Sequence, residues 1–134
     1  MYGVIAAQHL KSPRNLGKLA DADGVGQVDE PSSDTVLTVY LKVQQAADGK
    51  PAVAEARFRA FGCGGCIITG SIVTELATGR PLDALTALDA AAINQALDDG
   101  LPPDQRYCAE LAARALHLAA ESAARGEGRG ARGE

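Results

Sequence analysis

The sequence predicts an α+β fold in which helices pack on one face of a small antiparallel three-stranded sheet. Residues 35–43 and 53–61 alternate apolar and polar side chains, which is the period of a half-buried strand, and a turn signal at residues 48–51 separates them. After Gly64 the apolar spacing becomes helical. Strands followed by helices, in that order, are typical of α+β domains.

The strand region holds three candidate strands. Val25 to Glu30 predicts a short first strand, and Thr35 to Val43 predicts a longer second one. Val53 to Phe61 predicts the third. On that strand one face is expected to be apolar, and it carries Ala54, Ala56, Phe58 and Ala60. The second and third strands should pair as a hairpin with one face in water.

Helices are expected at both ends of this strand region. Residues 1–11 predict a short amphipathic helix that ends before Pro13. A helix from Gly64 should stop at Gly79 and Pro81, and residues 82–97 predict one short and one longer helical segment. Pro102 or Pro103 is expected to open a last helix that runs to about residue 124.

Length and composition predict one domain over residues 1–124. The remaining residues, 125–134, are Gly, Arg and Glu with one Ala, so they can bury nothing and should be disordered. A net charge of -4 without a dense basic run argues against nucleic acid or an anionic membrane as a partner. No apolar run approaches the ~20 residues of a membrane helix, and the N-terminus lacks signal-peptide features. A cytoplasmic location is therefore expected.

The candidate functional residues centre on Phe61-Gly62-Cys63-Gly64-Gly65-Cys66. Glycine lets the backbone turn sharply and leaves a sulfur uncrowded. The helix predicted to start here offers free N–H groups and a partial positive charge, which favour thiolate over thiol. In a reducing compartment three cysteines, an odd number, point to metal ligands or reactive thiols and not to structural disulfides.

The predicted topology brings Cys108 and Asp34 close to Cys63 and Cys66. Cys108 lies near the start of the last helix, on its buried stripe. Asp34 precedes the second strand, and the hairpin places the start of that strand beside the end of the third, so Asp34 and Cys63 should be neighbours. The expected ligand set is Asp34, Cys63, Cys66 and Cys108, although Asp34 also suits a strand-terminating role. Thiolate-rich sites select zinc, iron–sulfur clusters or copper(I).

Four motifs, in order along the chain, resemble one family. His9 to Gly17 is similar to His-x-x-x-Pro-Arg-Asn-x-Gly, and Phe58 to Gly64 is similar to Phe-x-x-Phe-Gly-Cys-Gly. The others are Thr-Glu-x-x-x-Gly, which begins at Thr74, and Leu-Pro-Pro-x-x-x-x-Cys-x-x-Leu-Ala, which begins at Leu101. This set resembles the NifU N-terminal and IscU scaffold family, on which iron–sulfur clusters are assembled.

The resemblance implies a function. A scaffold of this kind is not a conventional enzyme: it accepts sulfur as persulfide from a cysteine desulfurase, receives iron, and delivers the cluster, most commonly 2Fe–2S, to acceptor apoproteins. Cys63 and Cys108 are then the candidate sulfur acceptors. The resemblance leaves the oligomeric state open, and a homodimer is one assembly that it allows.

The sequence also departs from the family pattern. Ser32 stands where the family has its first cysteine ligand, and Gln105 and Tyr107 stand where it usually has Lys and His. The missing Lys argues against the family's chaperone partner, and tyrosine is a poor substitute for a histidine ligand. Cys66 stands where the family commonly has a small residue, so it could restore a three-cysteine set.

These departures leave other functions open. The first alternative is a zinc-bound sulfur-relay protein of the same family, in which the four expected ligands hold zinc tetrahedrally. The second is a dithiol redox protein that uses Cys63 and Cys66, although the parallel βαβ context of such pairs is not expected here. The last is a member of the family that binds a partner and no cofactor.

Overall fold

The computed structural model describes residues 1–126, and it confirms the α+β prediction. The strands are β1 (Gly24–Glu30), β2 (Thr35–Gln45) and β3 (Pro51–Phe61), and the helices are α1 (Val4–Lys11), α2 (Gly64–Ala77), α3 (Ala90–Ala96) and α4 (Tyr107–Arg125). Short 3₁₀ turns cover Pro31–Ser33, Leu82–Ala87 and Pro103–Gln105. The tail predicted at 125–134 lies outside the described residues beyond Gly126.

The three strands form one antiparallel sheet in the order β1-β2-β3. The hairpin pairs Val36 with Phe61, so the start of β2 lies beside the end of β3, as predicted. A register shift falls between Lys42 and Val43. It turns Val53 into the core in place of Ala54, because a bulge reverses which face successive side chains occupy.

Helices α2 and α4 cover one face of this sheet. α4 packs on β1 and β2, and α2 packs on β3. Two glycines of β1 allow the close approach of α4, since a Cβ at Gly26 would lie 2.1 Å from the carbonyl oxygen of Ala115 and a Cβ at Gly24 would lie 2.2 Å from that of Ala119. The other face carries half-buried Tyr40 and exposed Arg59.

The last helix begins later than expected. The two prolines precede a 3₁₀ turn, and α4 itself starts at Tyr107. Its C-terminus lies at Arg125, followed by Gly126 in the left-handed conformation that commonly ends helices. The late start matters because it places Tyr107 and Cys108 in the first turn of the helix. No helix within residues 1–126 is both long and apolar enough to cross a membrane.

Gly26→Ala should destabilise the fold. The new methyl group would meet helix backbone atoms that cannot rotate away, so the free energy of unfolding should fall by about 1–3 kcal/mol in chemical denaturation. Gln44 on β2 is exposed, so Gln44→Ala is the control and should change stability by no more than about 0.5 kcal/mol. Equal losses in the two variants would contradict this packing account.

Candidate metal centre

Cys63 and Cys66 lie where β3 turns into α2. Gly62 makes the turn with a φ of 136°, a value that side chains other than hydrogen rarely tolerate. Cys63 is the N-cap residue of α2, and its sulfur makes no capping hydrogen bond. Cys66 follows in the first turn and is fully buried. The two sulfurs are therefore presented by one turn, as predicted.

Cys108 comes from the start of α4, which meets the start of α2. The two starts lie close together at Gly65, because a Cβ there would lie 3.0 Å from the sulfur of Cys108 and 2.8 Å from Oε1 of Gln105. A larger residue would have to displace both of these side chains. Two distant segments of the chain thus bring their cysteines together at a glycine.

The three sulfurs form one cluster. The Sγ atom of Cys108 lies 3.4 Å from that of Cys63 and 3.3 Å from that of Cys66, and all three lie within 4.8 Å of one another. All three cysteines are free thiols. Cys66 and Cys108 are buried, while Cys63 is partly exposed. The convergence of three sulfurs expected from the sequence is present, and one of the three cysteines is partly exposed.

The electrostatics of the cluster combine two opposing effects. The three cysteines lie at the N-termini of α2 and α4, and helix N-termini favour negative charge. Against this, the hydrogen bond with Cys66 and then burial raise the pKa of the Cys108 thiol. Sulfurs this close cannot all ionise unless a cation compensates their charge. The arrangement therefore suits a metal whose binding releases the thiol protons.

Tyr107 also reaches this cluster. Its phenol oxygen lies 3.6 Å from the sulfur of Cys63, and its side chain is half-buried. Ser33 and Thr35 lie beside the same phenol and act to lower its pKa, but Cys63 and burial act in the opposite sense, and the net effect is a raised pKa. Tyr107 stands where the family usually has a histidine and directly precedes Cys108, but its contact with Cys63 was not predicted.

Asp34 and Ser32 lie at the edge of this region. Asp34 has a left-handed backbone at the end of a 3₁₀ turn, and its side chain is exposed. The group of ligand atoms within 4.8 Å of one another consists of the three cysteine sulfurs and does not include its carboxylate. Ser32 is exposed and donates to the carboxylate of Glu30.

Gln105 is half-buried, and its side chain is hydrogen-bonded within the protein. Its Oε1 accepts a hydrogen bond of 2.8 Å from the phenol of Tyr2, which precedes α1. A Cβ at Gly64 would lie 2.7 Å from that same phenol oxygen. The N-terminal segment therefore crosses over the start of α2, beside the cysteines.

This donor set fits a soft metal ion or an iron–sulfur cluster. Thiolate sulfur selects zinc, copper(I) and iron–sulfur clusters over hard cations such as calcium and magnesium. Three protein ligands, one of them a partly exposed cysteine, leave room for a fourth ligand, as in zinc sites that keep an open position.

The family of the chain follows from comparison with known proteins. The NifU-like N terminal domain family matches residues 1–126. The chain belongs to this family. It is 38% identical over 119 residues to the iron-sulfur cluster assembly scaffold protein IscU 1 of Archaeoglobus fulgidus, which covers 89% of this chain and 74% of that protein.

Two further comparisons agree. The IscU scaffold protein of Escherichia coli K12 is 32% identical over 121 residues, with 88% of this chain and 90% of that protein covered. The crystal structure of a putative iron-sulfur cluster assembly scaffold protein for the SUF system from Fervidobacterium islandicum has the same fold, with a TM-score of 0.68 at 16% identity. That match covers 89% of this chain and 96% of the other. The predicted family is thus confirmed.

The remaining motif residues of this NifU-type domain tie the N-terminal segment to α2. Arginine only donates, so the 3.3 Å contact from Arg14 makes Nε2 of His9 the acceptor. Nδ1 of His9 then carries the proton and donates to Oγ of Ser71 at 2.7 Å. Ser71 also accepts from the backbone N–H of Arg14, whose side chain pairs with Glu75 at 2.9 Å. We call His9, Arg14, Ser71 and Glu75 the α1–α2 latch.

The latch should make stability depend on pH. Burial and then Arg14 lower the pKa of His9, while Glu75 acts in the opposite sense. Folding thus favours the neutral imidazole. The stabilisation that His9 provides is therefore complete above its unfolded-state pKa of 6.5, and it is lost as the pH falls from that value through the lower folded-state pKa. Between about pH 7.5 and 5.5 the free energy of unfolding should fall in the native chain.

His9→Gln provides the check, because glutamine cannot take up a proton. Its free energy of unfolding should be lower than that of the native chain at the higher pH, and the gap should narrow toward the lower pH. The only other histidine is His117, so His117→Gln is the control and should keep the native pH dependence. An unchanged pH dependence in His9→Gln would show that the latch histidine is not responsible.

Proposed function

We propose that this protein is a scaffold for assembly and transfer of iron–sulfur clusters. It accepts sulfur from a cysteine desulfurase, receives iron, and delivers the cluster to acceptor apoproteins. The observation that carries the proposal is the convergence of three sulfurs within 4.8 Å at the starts of two helices. The names of its relatives as iron-sulfur cluster assembly scaffold proteins support the same function.

The cluster is the cargo of this site. Its protein ligands are Cys63, Cys66 and Cys108, and sequence geometry nominates Asp34 as a fourth. Cys66 takes over the role that the family gives to a cysteine at position 32, where this chain has serine. A 2Fe–2S cluster is the expected type. The three free thiols and the reducing environment that they need support a cytoplasmic location.

Cys63 is the proposed entry point for sulfur. Attack by its thiolate on the outer sulfur of a desulfurase persulfide forms a Cys63 persulfide, and the desulfurase thiolate leaves. Cys108 is an acceptor candidate as well, but the residue is 0% exposed, whereas Cys63 is partly exposed. Access therefore favours Cys63 as the first acceptor.

This order of access can be measured by limited alkylation. With substoichiometric iodoacetamide and no metal, Cys63 should be modified several times faster than Cys66 or Cys108, because exposure and thiolate character control reactivity. Peptide mass spectrometry gives the rates. In denaturant the three cysteines should react at similar rates, which is the control. Initial modification of Cys108 in the folded protein would remove the case for Cys63.

Cluster assembly itself is tested by anaerobic reconstitution with iron, cysteine and a cysteine desulfurase. The native chain should develop visible sulfur-to-iron charge-transfer absorption and bind acid-labile sulfide. Cys66→Ala and Cys108→Ala should each lose most of both signals, since each variant removes a ligand from a small set. Ser32→Ala is the matched control, because Ser32 lies outside the sulfur cluster, and it should assemble normally. Failure of the native chain would refute the proposed function.

Zinc-bound sulfur relay is the second candidate, and the spacing of the ligand atoms favours it. Three sulfurs within 4.8 Å of one another suit a single tetrahedral ion. In that case the purified protein should carry one zinc per chain that iron and sulfide do not displace, and it should still accept persulfide sulfur. Elemental analysis after anaerobic purification separates the two candidates.

Other partnerships have less support. The antiparallel sheet offers no thioredoxin-like context for a redox pair of Cys63 and Cys66, and Cys108 contacts both sulfurs. Gln105, which replaces the family's lysine, is engaged by Tyr2, and this disfavours the chaperone interaction. A homodimer stays a proposal that rests on the family alone.

A further inference from the structure

The position of Tyr107 suggests a role in the metal site itself. Tyr107 is the first residue of α4 and directly precedes Cys108, so the same helix start positions both side chains. The phenol oxygen lies 3.6 Å from the sulfur of Cys63, which in turn lies 3.4 Å from that of Cys108. The phenol thus contacts the sulfur cluster at Cys63.

Three of the separations within this group are close to those of a tetrahedral coordination shell. With metal–sulfur bonds of about 2.3 Å and metal–oxygen bonds of about 2.0 Å, neighbouring ligand atoms lie about 3.5–3.8 Å apart. The contacts of 3.4 Å and 3.3 Å between sulfurs and of 3.6 Å between Cys63 and the phenol are close to that range. Small side-chain movements would suffice to enclose an ion.

The surroundings of the phenol oxygen suit a ligand as well. The hydroxyl groups of Ser33 and Thr35 lie beside it, and outer neighbours of this kind orient ligand atoms. Asp34 offers a less suitable oxygen, because its side chain is exposed and its carboxylate is not part of the compact group. Three thiolates and a phenolate carry the same formal charge as the common four-cysteine site.

We propose that the phenolate oxygen of Tyr107 is the fourth protein ligand of a metal held by Cys63, Cys66 and Cys108. This inference rests on the proposed function, because it requires that the cysteine cluster binds a metal. On binding, the phenol O–H bond breaks, its proton passes to solvent, and an oxygen–metal bond forms. The three thiols give up their protons in the same way.

The chain allows a direct spectroscopic test, because it has three tyrosines and no tryptophan. Zinc is added anaerobically to metal-free protein, and the near-ultraviolet difference spectrum reports tyrosinate formation. One tyrosine per bound zinc should ionise. Tyr107→Phe should abolish this signal and weaken zinc binding by about 10-fold or more, while Tyr40→Phe and Tyr2→Phe should keep the signal. Far-ultraviolet circular dichroism checks the fold of each variant.

A parallel titration with cobalt(II) tests the cysteine metal site separately from the role of Tyr107. A thiolate-to-cobalt charge-transfer band without any tyrosinate signal on zinc binding would overturn the role of Tyr107 and leave the cysteine site intact. Absence of that band in the native chain would overturn the metal site and with it the ligand. Weaker binding in Asp34→Asn together with native binding in Tyr107→Phe would assign the fourth position to Asp34.

Discussion

The close approach of α4 to α2 at Gly65 is the constraint on which the site depends. A side chain on Gly65 would crowd its neighbours, because its Cβ would lie 3.0 Å from the sulfur of Cys108 and 2.8 Å from Oε1 of Gln105. This contact sets the distance between two helix starts and hence between cysteines that are far apart in sequence. It also aims two positive helix ends at one sulfur cluster, which offsets part of the cost of gathering thiolates in a buried place.

The N-terminal segment reinforces this arrangement from outside. Tyr2 bonds to Gln105 on one side of the cysteines, and Gly3 donates its backbone N–H to the carbonyl of Gly100. At the other end of α1 the latch joins His9 to Ser71 in the middle of α2. The segment thus links α2 to the 3₁₀ turn that leads into α4. Motif residues that could be taken for ligands have a mechanical role in this fold.

Most of the fold was predictable from local sequence patterns, and the remaining features depend on contacts between distant parts of the chain. The period of residues 35–43 and the glycines around Cys63 were enough to predict the hairpin, the turn and the sheet-plus-helix layers. The exchange of Ala54 for Val53 in the core was not predictable, because a bulge depends on pairing geometry and leaves no mark in one strand. The same holds for Tyr107, whose contact with Cys63 joins residues 44 positions apart.

The outer edge of β3 has a consequence for association between copies of the chain. At Phe58 the backbone N–H donates to the carbonyl of Asn15 and the carbonyl accepts from Gly17, so a short loop pairs with the strand where it would otherwise expose hydrogen-bonding groups. Uncovered strand edges invite aggregation by sheet extension. To pair with β3 at this position, a second molecule would have to displace the loop. The loop therefore protects the strand that leads to the cysteines against sheet extension.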